Sequence, residues 1–312
     1  MLHTEPPPVV TLNRLLSSTP ILSPNYGHLL LEQQVASIDD ADADQLRPYF
    51  ESAHLDAREV FHRAARIKLH PEAGAPGAHA TYPNCLPPKA IRGLFGEVMA
   101  GLISEAYSLV GGKTWRIPIF LFRYHGPVER YIFDLVRDPT KVKEVHGRPG
   151  NDFIGLELAS NGRVSGFIAG EAKWRTDLRP SGMTAIMKGG GTGKGAARVY
   201  HDDGVWNDIN TALAVPQGLQ QMCDLLVIKD RDGHAMTILS LDEALLGQTT
   251  PPRTDLVLVG GNRATSRAAG TAYLPTAAPP PDYKAGRPLQ IVELVLTDGE
   301  KFIDRLYRRL WT

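Results

Sequence analysis

The stretch that decides the fold is residues 151–174, NDFIGLELASNGRVSGFIAGEAKW. Two largely apolar runs within it, 152–158 and 166–174, have the length and the residue types of β-strands. Between them, residues 160–163 read Ser-Asn-Gly-Arg, which is favourable chemistry for a tight hairpin turn. The stretch therefore predicts an antiparallel β-hairpin.

Helix and strand patterns flank this hairpin on both sides. The clearest helix covers residues 89–109, where apolar side chains recur at helical spacing. It follows Pro87-Pro88, since the fixed φ of proline suits a helix start, and it stops at Gly111-Gly112. The sequence predicts further helices at 54–69, at 207–226, from Ser240 (with Glu243 as its capping box) and at 299–311, and strands at 116–124, 254–261 and 289–296.

These elements predict an α/β fold, in which a mixed central β-sheet is flanked by helices. Residues 1–45 read as irregular, and residues 1–85 together as a mostly helical N-terminal segment. Residues 86–312 are expected to form the main, nuclease-like domain considered below. Pro118 lies within the strand at 116–124, which indicates an edge position or a bulge.

The composition excludes several classes of protein but names no partner. Of the 312 residues, 43% are hydrophobic and 22% charged, which is typical of a globular chain and not of a disordered or coiled-coil one. The 34 basic residues balance the 34 acidic ones, so overall charge does not indicate a nucleic-acid binder. We find no apolar run near the roughly 20 residues that span a bilayer, no secretory pattern and no metal-binding cysteine spacing. We expect a cytoplasmic protein.

Three charged residues of the hairpin point to chemistry on phosphates. Glu171 and Lys173 are two apart on one strand, so their side chains project from the same face. The hairpin brings Asp152 within reach of Glu171. Two close carboxylates repel each other unless a cation relieves them, and hard oxygen ligands suit Mg²⁺ or Mn²⁺. A neighbouring lysine can orient or deprotonate a water and stabilise charge on a phosphoryl oxygen.

The order of these residues resembles the PD-(D/E)xK nuclease superfamily, which has an acid on a helix, then Asp, then Glu-x-Lys on successive strands. Here Asn151-Asp152 precedes Glu171-Ala172-Lys173 by eighteen residues, without the proline that often precedes the Asp. The resemblance implies that Lys173 is the catalytic lysine. It implies four metal ligands: Glu97 (in Gly96-Glu97-Val98), Asp152, Glu171 and the backbone carbonyl of Ala172. More narrowly, the layout is similar to nuclease subunits of bacterial anti-phage systems such as Hachiman.

An ordinary structural role for these residues is the alternative. Glu-x-Lys pairs are common on strands as solvated partners, and Glu97 also fits the boundary of an amphipathic helix. The residues around Glu171 are almost wholly apolar, which favours a functional site because charged residues are rarely placed there without a reason. Gly93 and Gly101, four residues to either side of Glu97, would let its helix approach a sheet closely.

A glycine-rich run, KGGGTGKG at 188–195, follows the hairpin. It fails as a phosphate-binding P-loop, because Lys188 stands where that motif needs Gly and Gly195 where it needs Ser or Thr. A surface loop is the simplest interpretation. Basic residues outnumber acidic ones over 173–198, so we also expect contact with a phosphate backbone through four of them: Arg175, Lys188, Lys194 and Arg198.

Two further groups are open to more than one interpretation. Asp202-Asp203 could ligate a metal with His201, although an N-cap for the next helix explains them more simply. The terminal helix has a basic side that could face solvent, DNA or a partner subunit. Some related nucleases place a glutamine near the metal on the helix after the site, where this chain has Gln217, Gln220 and Gln221.

The sequence thus predicts a Mg²⁺- or Mn²⁺-dependent DNA endonuclease that acts in anti-phage defence or restriction. A separate helicase or sensor subunit is an expected partner, because the chain has no ATPase motif of its own. The leading alternative is a non-catalytic nucleic-acid-binding or scaffolding subunit with a nuclease-like core. A third is an enzyme that acts on a small phosphorylated substrate.

Overall fold

A computed structural model gives the fold. It describes residues 2–66, 82–84, 86–122, 151–193, 199–201 and 203–311. Within these ranges, seven strands form one sheet in the order β1-β2-β9-β8-β5-β4-β3, and β6 and β7 form a separate ribbon. The strands are β1 (Leu16–Leu22), β2 (Tyr26–Gln33), β3 (Trp115–Arg116), β4 (Phe153–Leu158), β5 (Val164–Leu178), β6 (Gly191–Thr192), β7 (Val199–Tyr200), β8 (Arg253–Arg263) and β9 (Leu289–Leu296).

The large sheet is mixed. Its four central strands, β2, β9, β8 and β5, run parallel to one another. On one side β1 pairs antiparallel with β2, and on the other side β4 pairs antiparallel with β5 and β3 with β4. Strand β9 is buried along its whole length and β8 along all but its end, because helices cover both faces. The predicted fold class, a mixed central sheet flanked by helices, is confirmed.

The helices lie in two layers, one on each face of the sheet. They are α1 (Val9–Leu15), α2 (Asp40–Arg66), α3 (Pro88–Ala106), α4 (Pro180–Lys188), α5 (Val205–Thr211), α6 (Leu219–Asp230), α7 (Ala235–Leu245) and α8 (Gly299–Arg308). On face A, α2, α3 and α8 pack on side chains such as Ile168 and Ala172 of β5. On face B, α4 to α7 pack on side chains such as Phe167, Ala169 and Val257.

The elements that position the candidate site follow the sequence closely. The predicted hairpin is confirmed as β4 and β5, and Gly162 in its turn has the positive φ of 80° that favours glycine. The helix expected at 89–109 is α3, and the two later strands are β8 and β9. Among the described residues, no helix is long and apolar enough to cross a membrane.

The N-terminal part of the chain differs from the prediction. The irregular structure expected for residues 1–45 is wrong, because β2 from this region is a fully buried strand that pairs in parallel with β9. Charged and polar residues such as His28 and Glu32 interrupt the apolar pattern of this strand, so the sequence does not indicate a buried strand here. Residues 1–85 and 86–312 consequently share one sheet and one core, in which Leu12 and Phe50 are clustered with Phe95.

Two further elements also differ. The short helix predicted from Ser240 is present, but its predicted start is wrong: α7 already begins at Ala235, and the Ser240 hydroxyl accepts a hydrogen bond from the Val164 N–H (2.9 Å). Only Trp115–Arg116 of the strand predicted at 116–124 is paired; residues 117–122 are mostly buried without belonging to a strand, and the rest lies outside the described residues. Pro118 has no N–H to continue the ladder.

Candidate metal and catalytic site

The hairpin brings Asp152 and Glu171 together. Phe153 pairs with Gly170 at the end of the antiparallel ladder, and the N–H of Asp152, just before β4, donates to the Gly170 carbonyl oxygen at 2.8 Å. Glu171 and Lys173 project from face B, because side chains alternate along β5 and Ala172 between them belongs to the core of face A. A Cβ on Gly170 would lie 1.7 Å from the Leu256 carbonyl oxygen, so glycine is required where β5 approaches β8.

Lys173 connects the two carboxylates. Its Nζ donates to Glu171 Oε2 at 2.6 Å and to Asp152 Oδ2 at 3.2 Å. The backbone N–H of Ala172 also donates to Asp152 Oδ2, at 2.8 Å, which fixes this carboxylate against β5. The three side chains predicted from the hairpin therefore form one contiguous group, which we call the acid–lysine triad: Asp152, Glu171 and Lys173.

The triad carries more negative than positive charge, and Glu171 shows the consequence. Only 4% of Glu171 is exposed. Burial first, and then the charge of Asp152, raises the pKa of the Glu171 carboxyl from its ordinary 4.5 to about 8, although Lys173 acts in the opposite direction. Glu171 therefore holds a proton at neutral pH in the metal-free protein. A cation that replaced this proton would relieve the repulsion.

Lys173 is a stable cation in this arrangement. Burial lowers the pKa of its ammonium, but the charges of Asp152 and Glu171 outweigh burial and raise the pKa above its usual value. Its side chain is about one-third exposed, so the ammonium can reach a ligand at the surface of face B. While it bridges the two carboxylates, Lys173 serves as a hydrogen-bond donor and not as a general base.

Asp208 of α5 is an additional acidic residue at this site, and the sequence analysis missed it. Its helix packs on β5, and Trp206 and Ile209 of the same helix are buried with Val257, the neighbour of Glu171 in the sheet. The charge of Asp208 adds to the rise in the pKa of Glu171. An acid in the first turn of a helix is too common to have identified it.

The pKa of Asp208 is itself raised. Burial contributes most to this rise, and the charges of Asp152 and Asp203 add to it, against the opposing ammonium of Lys173. Two triad residues, Asp152 and Lys173, thus act on the ionisation of Asp208. The side chain of Asp208 is exposed. Asp208 is thus a second carboxylate, besides Glu171, whose pKa is raised by the charge of Asp152.

Glu97 is not brought into this group. Gly96, the residue before it, packs against Ala172 on face A, so α3 covers the face opposite to Glu171 and Lys173. Glu97 instead lies near Tyr307 of α8: burial and the neighbouring Tyr82 and Glu97 raise the pKa of that phenol well above its usual range. Its predicted metal-binding role stays a prediction without support from this placement.

Gly93 and Gly101 do not bring the helix of Glu97 onto the sheet. A Cβ on Gly101 would lie 2.5 Å from the Phe120 ring, so the close approach is to the segment after β3. A Cβ on Gly93 would contact no atom within 4 Å. The contribution of Ala172 is its N–H, which binds Asp152; the role expected for its carbonyl oxygen stays a prediction.

The predicted phosphate contacts fall in different surroundings. Arg175 is exposed two residues beyond Lys173, at the end of the site strand. Lys188 ends α4 and is ion-paired with Asp282 (3.0 Å), and its Nζ lies 5.6 Å from the centroid of the Tyr200 ring. Lys194 and Arg198 lie outside the described residues. The structure therefore places one predicted phosphate contact, Arg175, beside the triad.

Asp203 has a structural role different from the predicted N-cap. Gly204 is the N-cap of α5, and no side chain caps this helix. Asp203 Oδ1 instead accepts the Gly190 N–H at 2.9 Å, so it folds the glycine-rich run back onto α5. Gly189 has φ 84°, and a Cβ there would lie 1.9 Å from Asp203 Oδ1, which explains glycine at this position. Asp202 lies outside the described residues.

The three glutamines are peripheral or uninformative. Gln220 donates to Asp224 on the exposed side of α6 at 2.9 Å. Gln217 precedes α6 and is exposed, while Gln221 is half-buried. A Cβ on Gly218 would lie 3.2 Å from the Ile154 side chain, so this end of α6 is close to the start of β4. The structure thus favours none of the three as a metal ligand.

The donor set at the triad can be compared with what metals require. Within the described ranges, no group of three or more Asp, Glu, His or Cys side chains is arranged to hold a metal ion. Mg²⁺ needs fewer protein ligands than that, because it keeps several waters and binds through one or two carboxylates and substrate phosphates. Asp152 and Glu171 fit this pattern.

No family model matches the chain, and no curated protein matches it either. The arguments for a function therefore rest on the residues of this chain.

Proposed function

We propose that this chain is a metal-dependent nuclease that hydrolyses phosphodiester bonds in DNA at the acid–lysine triad. One observation carries the proposal: two carboxylates face each other across a hairpin, one of them is 4% exposed with a raised pKa, and a single lysine serves both. The order of these residues also resembles the PD-(D/E)xK superfamily. Perturbed pKa values with a stated charge partner are typical of functional sites.

In this proposal Asp152 and Glu171 hold a Mg²⁺ or Mn²⁺ ion. Such an ion supplies an activated water and neutralises charge on a phosphoryl oxygen. Glu171 must lose its proton before it can serve as a ligand, so binding is favoured as pH rises toward 8. The Ala172 N–H keeps Asp152 in place against β5 throughout.

Lys173 supplies positive charge for the phosphate. Its Nζ contacts both carboxylates, so it would lie beside a phosphate that is held at them. A preorganised cation at such a position stabilises the charge that develops in the transition state. Arg175, exposed two residues further along β5, is suited to the adjacent phosphate of the strand.

The biological setting belongs to the same proposal. We place the nuclease in anti-phage defence or restriction, with a helicase or sensor subunit as partner and the cytoplasm as location. These assignments follow the resemblance to defence nuclease subunits and the lack of an ATPase motif in the sequence. A tagged chain that co-purifies with an ATPase from its own host would support the partner assignment.

Plasmid cleavage tests the proposed reaction. We expect purified protein to nick or linearise supercoiled plasmid in Mg²⁺ or Mn²⁺ and to leave it intact in EDTA. Lys173→Ala should reduce the rate by at least roughly 100-fold, because it removes the cation beside the reacting phosphate. Lys301→Ala is the matched control: Lys301 is 79% exposed on α8 and pairs only with its neighbour Asp298 among the described residues.

The proposal makes the two lysine variants differ. Equal cleavage by Lys173→Ala and wild type would contradict it, as would folded wild-type protein that cleaves no plasmid with either metal. A loss of cleavage in both lysine variants would point to a general effect of charge on DNA binding instead of a role for Lys173 at the reacting phosphate.

A second candidate function is a non-catalytic scaffold with a nuclease-like core. The observation in its favour is that Lys173 already contacts both carboxylates, as in a structural ion pair. The two candidates differ in their response to metal. A nuclease gains thermal stability from Mg²⁺ or Mn²⁺ by ligand linkage and loses that gain in Glu171→Ala, whereas a scaffold melts at the same temperature with and without metal.

A further inference from the structure

The ammonium of Lys173 occupies the two carboxylates that the proposed metal ion needs. Its Nζ donates to one oxygen of each, to Glu171 Oε2 at 2.6 Å and to Asp152 Oδ2 at 3.2 Å. A Mg²⁺ or Mn²⁺ ion would bind through the same pair of carboxylates. Two cations at this pair would repel each other, because like charges a few ångströms apart interact strongly where water is largely excluded. The metal-free site therefore contains an internal competitor for the metal.

Lys173 is the member of the triad that is placed to move. The side chains of Asp152 and Glu171 are 14% and 5% exposed, whereas that of Lys173 is 37% exposed. Asp152 is also held in place, because its Oδ2 accepts the Ala172 N–H at 2.8 Å. A lysine carries its charge on a flexible four-carbon stem, so its ammonium can leave the carboxylates by side-chain rotation alone. The carboxylates stay where they are.

A phosphate of the substrate would give the displaced ammonium a new partner. A phosphate oxygen accepts a charge-assisted hydrogen bond from lysine as a carboxylate does. The exposed carboxylate of Asp208 on α5 lies within electrostatic reach, since the charge of Lys173 opposes the rise in the pKa of Asp208. An ammonium that turns outward from Glu171 thus stays among negative groups and does not have to enter bulk water unpaired.

We propose that Lys173 is a displaceable internal cation, which holds Asp152 and Glu171 in the metal-free protein and is drawn away from them by a phosphate of DNA. Metal and DNA would then bind cooperatively. This inference rests on the proposed nuclease function and adds its regulation: the site takes up metal mainly where DNA is present. Because the coupling between two ligands is reciprocal, metal should also raise the affinity for DNA.

Titration of Mn²⁺ alone into the full chain at pH 8 tests the competition. Lys173→Met keeps an unbranched stem without the charge, so it should bind Mn²⁺ at least about tenfold more tightly than wild type. A proton on Glu171 also gains affinity when the ammonium is removed, but a divalent ion gains about twice as much in free energy. At pH 8 this proton competes less than at neutral pH, because the pKa of Glu171 is about 8.

Two control variants separate the position of the charge from its presence. Lys173→Arg keeps a cation at the carboxylates and should bind Mn²⁺ no more tightly than wild type. Lys301→Met removes a cation that is 79% exposed on α8, and it should bind Mn²⁺ as wild type does. A gain in affinity that is confined to Lys173→Met therefore reports the competition at the triad and not a change in overall charge.

A second titration measures the coupling to DNA. The protein is first bound to a short DNA duplex with phosphorothioate linkages, which resist hydrolysis, and Mn²⁺ is then added. Wild type should bind Mn²⁺ at least about tenfold more tightly in this complex than alone. Lys173→Met should gain less from DNA, because no ammonium remains to be displaced. The part of the gain that comes from direct phosphate–metal contact should be the same in both proteins.

The outcomes distinguish this inference from the proposed function. Equal or weaker Mn²⁺ binding by Lys173→Met would overturn the inference and leave the metal site standing, as would an equal gain from DNA in both proteins. No binding of Mn²⁺ by any of the proteins at millimolar concentration would contradict the metal site itself, and the proposed function with it. Lys173→Gln, which is also uncharged, replaces Lys173→Met if circular dichroism shows that the methionine variant is unfolded.

Discussion

Two buried carboxylate clusters on face B of this protein differ in how their charge is balanced. Near the start of β8, Asp255 is fully buried. Its carboxylate accepts hydrogen bonds from Arg253 Nε, Arg287 Nε and the Tyr283 hydroxyl, each at 2.8 Å. At the acid–lysine triad, two carboxylates and the nearby Asp208 share one ammonium. The Asp255 cluster therefore has more positive than negative groups, and the triad with Asp208 has fewer positive than negative groups.

The two arginines at Asp255 also bind other parts of the fold. Arg287 also donates to the carbonyl oxygens of Ile209 and Ala212 at the end of α5, and Arg253 donates to that of Leu213. This cluster therefore fixes the helix that carries Asp208. At the triad, Asp152 and Glu171 share the single ammonium of Lys173, and the pKa of Glu171 is raised in spite of it. This difference in charge balance is the reason for proposing a metal site at the triad.

The largest expected effect is the loss of stability on breaking the Asp255 cluster. Asp255→Asn leaves the buried Arg253 and the half-buried Arg287 beside a neutral amide, and it should lower the free energy of unfolding by about 3–5 kcal/mol. Chemical denaturation at pH 7 measures this change. A loss below about 1 kcal/mol would show that the cluster is not the structural counterpart of the triad.

Glu171→Gln should act in the opposite direction. The folded-state pKa of Glu171 is raised to about 8, while the unfolded chain ionises near 4.5, so the folded state binds more protons in between. Stability of the metal-free wild type should therefore fall as pH rises from about 4.5 to 8, by up to about 1.4 kcal/mol per pH unit from this group.

The variant should remove this slope and be more stable than wild type at pH 8, because Lys173 keeps its contact with Asp152. Denaturation curves of both proteins at pH 5 and pH 8, without metal, measure the effect. If Glu171→Gln lost stability at pH 8, the triad would be a structural ion pair like the Asp255 cluster.

The hairpin and its three charged residues could be predicted because their signals are local. A turn sequence between two apolar runs sets the register, and the register brings Asp152, just before β4, close to the strand that carries Glu171. The spacing of Glu171 and Lys173 alone puts them on one face. The prediction of this part of the site needed only residues that are close together in the sequence.

The parts that were missed depend on long-range packing. Asp208 reaches the triad only because α5 packs on face B, and Glu97 is kept away only because α3 packs on face A. Which face a helix covers is decided by the whole sheet and not by the helix. The burial of β2, with His28 bonded to Glu293 (3.0 Å) on the adjacent β9, is likewise a contact between distant residues.

Asp208→Asn should have a smaller effect at the same site. It removes one negative charge that raises the pKa of Glu171, so that pKa should fall below about 8 while stability changes little. Carboxyl titration followed by NMR measures the shift. Asp232→Asn, in the exposed turn between α6 and α7, is the control and should leave the pKa unchanged. Equal titration curves in all three proteins would remove Asp208 from the site.

The smallest expected effect concerns the phosphate contacts. Arg175 makes no ion pair among the described residues, whereas Lys188 is paired with Asp282. Arg175→Ala should weaken DNA binding and reduce the steepness of its salt dependence by about one counterion, and Lys188→Ala should change both less. Fluorescence anisotropy over a salt series measures both quantities. A larger effect of Lys188→Ala would indicate that DNA contacts the end of α4 and not the end of β5.

Proton release on metal binding is the sharpest test of a metal site at Asp152 and Glu171. Titration of Mn²⁺ into the protein at pH 7, in buffers of different ionisation enthalpy, counts the protons displaced. Because the pKa of Glu171 is about 8, the wild type should bind Mn²⁺ and release about one proton, and Glu171→Gln should bind much more weakly and release none. Equal binding by both proteins, or no binding by the wild type, would contradict a metal site at Asp152 and Glu171.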